Sequence, residues 1–393
     1  MLTWSNWDQE MRSNRYHYAI RFAKEVPVFF VQPDHSSNDY TILQTEVENV
    51  FVVHVNSKFD IQQRRSIQML IDDQKIVNPL FWVYNSDFWE LLYEHRGSTI
   101  VYHATEDYFS NAFNQGVRGY EISVKLRFVL SLTDLLVSVS DGVENNFQVK
   151  GNFSNQSVMV GNGCDYSFWQ LTPDELNWVR NKPNTKIALY QGGIGRKLDF
   201  ELLNHLVRSL DDWLFLFAGT IFDCQEEFKQ LLKHKNVAYL GYLPVNRVRE
   251  YALIADIGLN PFVCNDLTIK RGFPLKAFEY LSVGLPVVSI PIRSLLQYRD
   301  VFYFAHNKYE FESIIRTVAV TRTDPVTIEI RAKAAKSTDY KMKFEEVLGR
   351  LEKLQLVGRS KRTDCLQTRL SYFRIYAFER FLKCIRKLKR ILR

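Results

Sequence analysis

The sequence of 393 residues has few cysteines, no long apolar run and no recognisable leader. Its five cysteines are scattered, odd in number and without metal-ligand spacing, which favours a reduced intracellular protein over a disulfide-bonded one. The longest mostly apolar stretch, Phe128–Ser140, contains Thr133 and Asp134 and is too short to cross a bilayer. Residues 1–10 lack the basic and apolar regions of a secretory signal. Together these absences predict a cytoplasmic protein.

The composition is that of an ordinary globular protein, with 46% apolar, 24% charged and 14% aromatic residues. A disordered chain would have fewer apolar residues and more net charge, so that class is excluded. At roughly 100–200 residues per domain, the length predicts two domains.

The positive charge is concentrated at one end of the chain. The net charge is +7, but nine basic residues lie within Leu366–Arg393, where Glu379 is the only acid. The rest of the chain is therefore close to neutral. A nucleic-acid-binding protein should carry its positive charge across a face of the folded body, so we expect no nucleic-acid partner.

The same segment, Leu366–Arg393, has the period of an amphipathic helix. Apolar residues recur at steps of three and four: Leu370, Phe373, Ala377, Phe381, Cys384, Leu388 and Leu392. A helix with one basic and one apolar face suits an anionic membrane surface. The alternative is a helix that docks on the protein body and keeps its basic face in water.

Short β-rich runs alternate with helical periods in both halves of the chain. Most runs are continuously apolar, as in parallel strands covered by helices on both faces. This alternation predicts an α/β fold of two Rossmann-like doubly wound domains facing a cleft. The predicted strands are Val26–Val31, Val50–Val55, Thr99–Tyr102, Leu135–Val139, Ser157–Val160, Lys186–Tyr190, Trp213–Ala218, Val237–Leu240, Ile257–Leu259 and Pro286–Ile290.

The polar, proline-containing stretch Leu171–Asn184 is the natural linker between the halves. We therefore predict an N-terminal domain over 1–170 and a C-terminal domain over 185–340. A returning helix and linker would occupy 341–365, and the basic tail 366–393. In parallel sheets, ligands bind where loops leave the carboxyl ends of the strands.

Two loop–helix junctions carry candidate binding chemistry. The run Gly192–Asp199 follows a strand, is rich in glycine and contains Arg196 and Lys197, a combination that suits a phosphate group. Its alternative is a plain glycine-rich turn. In the run Pro274–Ser289, a cation (Lys276) and a carboxylate (Glu279) share one face of a helix near its N-terminus. These could bind a diphosphate and a ribose, or form an exposed surface pair.

Taken together, the motifs between Ser138 and Tyr340 resemble those of the GT-B glycosyltransferases, particularly the retaining family 4 and its relatives. Pro274–Ser289 is similar to their donor-binding helix and Gly192–Asp199 to their diphosphate loop. Three other segments agree in order: Gly161–Phe168, Phe217–Thr220 and Leu240–Pro244. The similarity is nearest to bacterial enzymes that build capsular, teichuronic or xanthan-type polysaccharides.

The resemblance implies a nucleoside-diphosphate sugar as donor and no metal or other cofactor. By position, Lys276 and Arg196 would hold the diphosphate, with Lys197 as a weaker candidate. Glu279 would hold the ribose. The remaining donor-side positions are the glycines of two loops and the segment that reads the base: Gly193, Gly219, Tyr242 and Leu243.

On the acceptor side, the resemblance points to the loop after the predicted strand Thr99–Tyr102. Glu106 aligns with the catalytic base of inverting xanthan-type enzymes, and Asp107 and His103 are the next candidates. The acidic pair could instead cap a helix. Asp8, Arg15 and His17 are candidates for the acceptor site, although His17 could equally be a structural residue.

Family 4 enzymes often have a glutamate eight positions before the ribose-binding one, where this chain has Arg271. Retaining and inverting chemistry therefore both remain open. The resemblance predicts a metal-independent glycosyltransferase of surface polysaccharide synthesis at the inner membrane face. Its acceptor would be a saccharide linked to a lipid. The alternatives are a nucleotide-sugar epimerase of the same fold and an inactive partner subunit.

Overall fold

The structure is a computed structural model that describes residues 1–9, 12–34, 39–57, 60–110, 116–356 and 366–391. It comprises two compact units. The first contains residues 1–10, 18–160 and 346–393, and the second contains residues 11–17 and 161–345. The chain passes between the units after residues 10, 17, 160 and 345, and the predicted linker Leu171–Asn184 lies within the second unit.

The strands of the first unit form a mostly parallel sheet. They are β1 (Val28–Asp34), β2 (Tyr40–Gln44), β3 (Val50–Asn56), β4 (Leu80–Val83), β5 (Thr99–Ala104), β6 (Leu135–Ser138) and β7 (Gln156–Met159). The order is β1-β3-β2 in one part and β4-β5-β6-β7 in the other, with β2 antiparallel to β3. Leu2 forms parallel bridges to Val31 and Val83 and so joins β1 to β4.

Helices cover this sheet because its central strands β5 and β6 are mostly apolar. Every residue of β5 and β6 is buried, as expected for strands packed on both faces. The helices of this part of the chain are α1 (Asn14–Phe22), α2 (Asp60–Asp73), α3 (Trp89–Glu94), α4 (Gly116–Leu132) and α5 (Asp141–Val149).

The second unit contains a six-stranded parallel sheet in the order β10-β9-β8-β11-β12-β13. Its strands are β8 (Ile187–Gln191), β9 (Leu214–Ala218), β10 (Val237–Gly241), β11 (Ile257–Asn260), β12 (Val287–Ser289) and β13 (Phe302–Phe304). The strand order reverses between β8 and β11, which is the doubly wound topology that the alternation predicts.

The helices of the second unit lie before, between and after these strands. They are α6 (Tyr166–Trp169), α7 (Pro173–Asn181), α8 (Phe200–Ser209), α9 (Gln225–Leu231), α10 (Val245–Ile254), α11 (Asp266–Arg271), α12 (Leu275–Ser282), α13 (Lys308–Val318), α14 (Pro325–Lys336) and α15 (Tyr340–Leu356), the last of which ends in the first unit. The residues 171–184, predicted as a linker, contain α7. Thr172 and Glu175 form a capping box at its start.

The basic tail forms the helix α16 (Leu366–Ile391), which packs on α4 within the first unit. The docked face carries Ile375, Glu379 and Leu382, which are all buried. Of the predicted apolar stripe, Leu370, Phe373 and Phe381 are exposed, the last two by more than 60%, whereas Leu382, which was predicted to widen the stripe, lies on the docked face. Residues 357–365, 392 and 393 lie outside the described residues, as do the side chains of Lys383 and residues 385–391.

Within the described ranges, the structure has no helix of sufficient length and apolarity to cross a membrane.

Candidate functional site

The reversal of strand order between β8 and β11 places a crevice at the carboxyl ends of these two strands. The loop after β8 enters α8, whose N-cap Asp199 accepts a hydrogen bond from the Leu202 N–H at 2.9 Å. The segment after β11 leads through α11 to the N-terminus of α12. The glycine-rich loop and the Lys276–Glu279 helix therefore meet at the same edge of one sheet.

Two glycines hold the loops after β8 and β9 against each other. Gly192 has φ +124° and donates to the carbonyl oxygen of Ala218 at 2.9 Å. Gly219 has φ +143°, and a Cβ there would overlap the carbonyl oxygen of Gly192. Gly193 is exposed, and its carbonyl accepts a hydrogen bond from the Tyr190 hydroxyl at 2.7 Å. The backbone of the loop can therefore approach a ligand closely.

Lys276 lies in the first turn of α12 and is 9% exposed. Its Nζ donates to the carbonyl oxygen of Gln191 at 2.7 Å and lies over the Tyr190 ring, 3.5 Å from the centroid. Burial lowers the pKa of Lys276 well below its usual value. The nearby charge of Glu279 opposes this shift, whereas that of Lys197 adds to it. An anion at this position would stabilise the ammonium form.

Glu279 follows one turn later on the same helix and is 7% exposed. It accepts a hydrogen bond from the side-chain amide of Gln191. Burial raises the pKa of the Glu279 carboxyl to about 8, and the charge of Asp165 adds to this effect. The Gln191 hydrogen bond and the charges of Lys276 and Arg12 oppose the rise. The pair is therefore a buried one and not the exposed surface pair of the alternative interpretation.

The two cations of the glycine-rich loop differ in their surroundings. Arg196 is exposed and paired with Asp223, which accepts from its backbone N–H at 2.6 Å and from Nε at 2.7 Å. Lys197 is also exposed, but its charge lowers the pKa of Lys276. Lys197 is thus electrostatically linked to the buried pair, whereas the guanidinium of Arg196 is held by a carboxylate.

The segment predicted to read the base follows β10. Tyr242 is 44% exposed, and Leu243 is half-buried against the core of the second unit. Gly241, just before them, has φ +74° and accepts a hydrogen bond from the Gly219 N–H at 2.8 Å. The loops after β9 and β10 are therefore joined at the same sheet edge as the glycine-rich loop.

Three residues at this edge are not among the predicted ones. Gln191 ends β8, and Asn260 ends β11, fully buried; the Gln191 Oε1 atom and both side-chain polar atoms of Asn260 have no hydrogen-bond partner. Both lie on the face of the sheet that α12 covers. Residues two apart in a strand share a face, and Gly258, two residues before Asn260, has the ring of Tyr280 of α12 over it. The third, Arg12, has its guanidinium 4.3 Å from the Phe168 ring centroid.

A signal for two of them exists in the sequence, because each is a polar residue that ends an otherwise apolar strand. Arg12 has no such signal, since its proximity to Glu279 arises only in the folded second unit.

The catalytic candidates lie in the first unit, at the carboxyl end of β5. Glu106 is half-buried. Asp107 is 1% exposed, and its carboxylate accepts from the Phe109 N–H at 3.1 Å and from the Asn146 amide at 2.7 Å. His103 is buried among aromatic rings, stacked 5.1 Å from Tyr84. Glu106 is therefore the more accessible carboxylate, and Asp107 holds the loop to α5.

The acceptor-side candidates are divided between the units. Asp8 is exposed in a short 3-10 helix of the first unit. Arg15 and His17 lie in α1, in the part that belongs to the second unit. His17 is buried and stacks on Tyr340 at 4.0 Å, so it is part of the packing.

In the portion of the chain that the structure describes, no group of three or more His, Cys, Asp or Glu side chains could hold a metal ion.

Comparison with known proteins shows what this chain is similar to. Residues 198–312 match the family described as glycosyl transferases group 1. The chain is 26% identical over 246 residues to a putative teichuronic acid biosynthesis glycosyltransferase, TuaH, of Bacillus subtilis. That match covers 61% of this chain and 62% of the relative.

Solved structures share the fold across most of the chain. Sucrose-phosphate synthase from Thermosynechococcus elongatus has a TM-score of 0.69 at 14% identity, covering 88% of this chain and 93% of that one. HepE of Anabaena, solved in complex with UDP and glucose, has a TM-score of 0.61 at 14% identity, covering 86% and 94%. Residues 198–312 are therefore similar to the glycosyl transferases group 1 family, and the chain has a GT-B fold.

Proposed function

We propose that this protein is a glycosyltransferase that moves a sugar from a nucleoside-diphosphate sugar to a saccharide acceptor. The observation that carries the proposal is the buried pair Lys276 and Glu279 at the switch point of the second sheet. A buried cation at a helix N-terminus suits a diphosphate, and a carboxylate one turn deeper suits the two ribose hydroxyls. A surface ion pair would not be buried in this way.

The donor contacts follow from the same sheet edge. Lys276 binds the diphosphate, and Lys197 lies close enough to bind part of the same negative charge. Arg196 can also bind the diphosphate if it leaves Asp223. The backbone at Gly193 and Gly219 approaches the phosphates, and Tyr242 and Leu243 contact the base. UDP is the nucleotide to test first, because the Anabaena relative is described in complex with UDP and glucose.

No metal is needed in this scheme. The charge of the diphosphate is offset by Lys276, Lys197 and the N-terminal N–H groups of α12. We propose that Glu106 accepts the proton of the attacking hydroxyl, since it is the accessible carboxylate of its loop. Asp107 and His103 support that loop rather than touching the substrate. Full activity in the presence of a chelator is the expected outcome.

The product is a surface polysaccharide, such as a capsular or teichuronic polymer, built on a lipid-linked acceptor at the inner membrane face. Two facts support this part of the proposal. The relative in Bacillus subtilis is named for teichuronic acid biosynthesis. The helix α16 leaves Phe373 and Phe381 exposed on a segment rich in basic residues, a combination that favours an anionic membrane surface. Asp8 and Arg15 remain candidates for acceptor contacts.

The test is incubation with a panel of nucleotide sugars, with and without a saccharide acceptor, while nucleoside diphosphate release is followed. We expect acceptor-dependent release that is lost in Lys276→Met and in Glu279→Gln. Full turnover in both variants would overturn the site. Product formed without any acceptor would instead indicate an epimerase, and absence of nucleotide binding by calorimetry would indicate an inactive partner subunit.

A further inference from the structure

A cavity of about 530 Å³ lies in the first unit, at the carboxyl ends of β4 and β5. Its volume is within the range of small-molecule sites, roughly 300–1,000 Å³. Six of its lining residues carry the chemistry: Tyr84, Asp87, Tyr102, Tyr108, Arg118 and Glu121. They come from the carboxyl ends of two neighbouring strands, from the segments that follow them, and from α4. In parallel sheets this edge is the usual position of a ligand.

The lining suits a saccharide better than an apolar molecule. Aromatic side chains present flat apolar faces with a polar edge, which fits the C–H face and the hydroxyls of a sugar ring. The carboxylates of Asp87 and Glu121 can each accept hydrogen bonds from two hydroxyl groups. Arg118 is exposed at the same cavity and adds a donor.

One buried cation holds the two carboxylates in place. The Nζ of Lys125 lies 3.3 Å from Asp87 and 3.4 Å from Glu121, and only 4% of its side chain is exposed. The same ammonium pairs with Glu379 of α16, which is equally buried. Lys125 is thus shared between the wall of the cavity and the tail helix.

Glu379 is the only acid in the basic tail, and this pairing gives it a role. It docks α16 on α4, where Tyr120 also packs against Phe378 with ring centroids 5.5 Å apart. The cavity wall and the helix that carries the exposed Phe373 and Phe381 therefore share one buried ion pair. A ligand with a saccharide head and a lipid chain would match both surfaces.

We propose that this cavity binds the saccharide head of a glycolipid while α16 contacts the membrane that holds the lipid. The proposal names the acceptor site of the proposed function and rests on it only for the transfer step. Saccharide binding in the cavity requires no nucleotide. A failure of nucleotide binding at Lys276 is therefore measured separately, by calorimetry with UDP.

The first test is saturation-transfer NMR on the full-length protein with methyl glucoside, methyl glucuronide and methyl N-acetylglucosaminide. We expect transfer to at least one glycoside, reduced about tenfold in Glu121→Gln, because a hydrogen bond to a charged group is lost. Glu144→Gln changes a half-buried glutamate of the same unit outside the cavity and should leave the signal unchanged. If none of the three glycosides shows a saturation-transfer signal, or if the signal is equal in wild type and Glu121→Gln, the proposed saccharide site is wrong.

The second test separates a lipid-linked saccharide from a free one. The full-length protein is sedimented with phosphatidylglycerol vesicles, with and without a monoglucosyl diacylglycerol. We expect the glycolipid to increase the bound fraction and Glu121→Gln to remove only this increase. If methyl glycosides bind but the glycolipid adds nothing, the glycolipid part of the proposal is wrong and the cavity takes a free saccharide.

Discussion

The ammonium of Lys276 lies 3.5 Å from the centroid of the Tyr190 ring, near the end of β8 and two residues before the glycine-rich loop. The ring and the Gln191 carbonyl stabilise a cation that is otherwise shielded from water. A charge held in this way has lost its hydration before a ligand arrives. Its interaction with an incoming diphosphate is correspondingly stronger than that of an exposed lysine.

Replacing Lys276 by methionine should abolish most of the nucleotide affinity. We expect UDP binding to weaken about 100-fold, since a hydrogen bond to a charged group contributes roughly 1.5–3 kcal/mol. Isothermal calorimetry measures this directly. The matched control is Lys270→Met, because Lys270 is exposed and pairs with Asp266 on α11. Equal affinities of Lys276→Met and wild type would exclude Lys276 from the diphosphate site.

Nucleotide binding should change the protonation of Lys276 and Glu279 in opposite directions. A diphosphate favours the ammonium form of Lys276, whose pKa burial lowers in the free protein, so binding raises this pKa and any change in its protonation is an uptake. Ribose hydroxyls favour the carboxylate form of Glu279, whose pKa of about 8 keeps it mostly protonated at pH 7, so that residue releases a proton. In the wild type the two effects partly cancel.

The variants separate these two contributions. Glu279→Gln should show net proton uptake on binding UDP, and Lys276→Met, at concentrations high enough to bind, should show net release. Calorimetry in buffers of different ionisation enthalpy gives the number of protons taken up or released by each variant on binding. Proton linkage of the same sign in the two variants would contradict the assignment.

The stability of the free protein should also depend on Glu279. Its carboxyl has a pKa of about 8 in the folded chain against 4.5 as the ordinary value, so the folded state binds this proton more tightly. The resulting stabilisation is complete below about pH 4.5 and is lost as the pH rises through about 8. Glu279→Gln should therefore gain melting temperature relative to wild type between pH 6 and pH 9.

Differential scanning calorimetry across that pH range tests this expectation. Glu329→Gln, at an exposed position of α14, is the control and should follow the wild type at every pH. A constant difference between Glu279→Gln and wild type from pH 6 to pH 9 would show that the carboxyl titrates normally.

Gly219 should not tolerate a side chain. Its φ of +143° is strained for any L-residue, and a Cβ would overlap the Gly192 carbonyl. We expect Gly219→Ala to cost roughly 1–3 kcal/mol of unfolding free energy and to weaken UDP binding, because the two loops must separate. Gly349→Ala is the control: this helical position is open, and alanine there should stabilise by about 0.5–1 kcal/mol. Denaturant titration distinguishes the two.

The sequence predicts the strands well because their apolar runs are local signals. All ten predicted strands are confirmed, with boundaries within three residues, and the fold class with them. The pattern missed β2, an exposed antiparallel strand, and the short strands β4 and β13. β2 is exposed and β13 has only three residues, whereas β4 is apolar throughout and was missed despite this local signal.

Pairings that form only in the folded chain were not predictable. Arg196 and Lys197 are adjacent cations in the sequence, and the ion pair of Arg196 with Asp223, 27 positions away, is not visible there. Asp107 carries the right chemistry for a base, but Asn146, 39 positions away, occupies one of its oxygens. The apolar stripe of the tail was identified, whereas the docked face depends on Lys125. Composition and period cannot reveal such partners.

The exposed aromatic residues of α16 should control membrane binding. Phe373→Ser with Phe381→Ser should reduce the fraction that sediments with phosphatidylglycerol vesicles several-fold, since each change removes apolar surface from the interface. Raising the salt concentration should weaken wild-type binding, because the basic residues contribute electrostatically. Tyr309→Ser, at a 66% exposed position of α13, is the matched control. Undiminished binding of the double variant would assign α16 a purely structural role.

The Lys125–Glu379 pair should respond unequally to loss of its two members. Lys125→Met leaves three carboxylates, Asp87, Glu121 and Glu379, without their shared cation, so we expect a loss of about 3–5 kcal/mol in unfolding free energy. Glu379→Gln keeps Lys125 paired with the other two and should cost distinctly less. Hydrogen exchange over α16 and α4, with denaturant titration, measures both effects. A larger cost for Glu379→Gln than for Lys125→Met would mean that Glu379, and not the shared lysine, holds the helix and the cavity wall together.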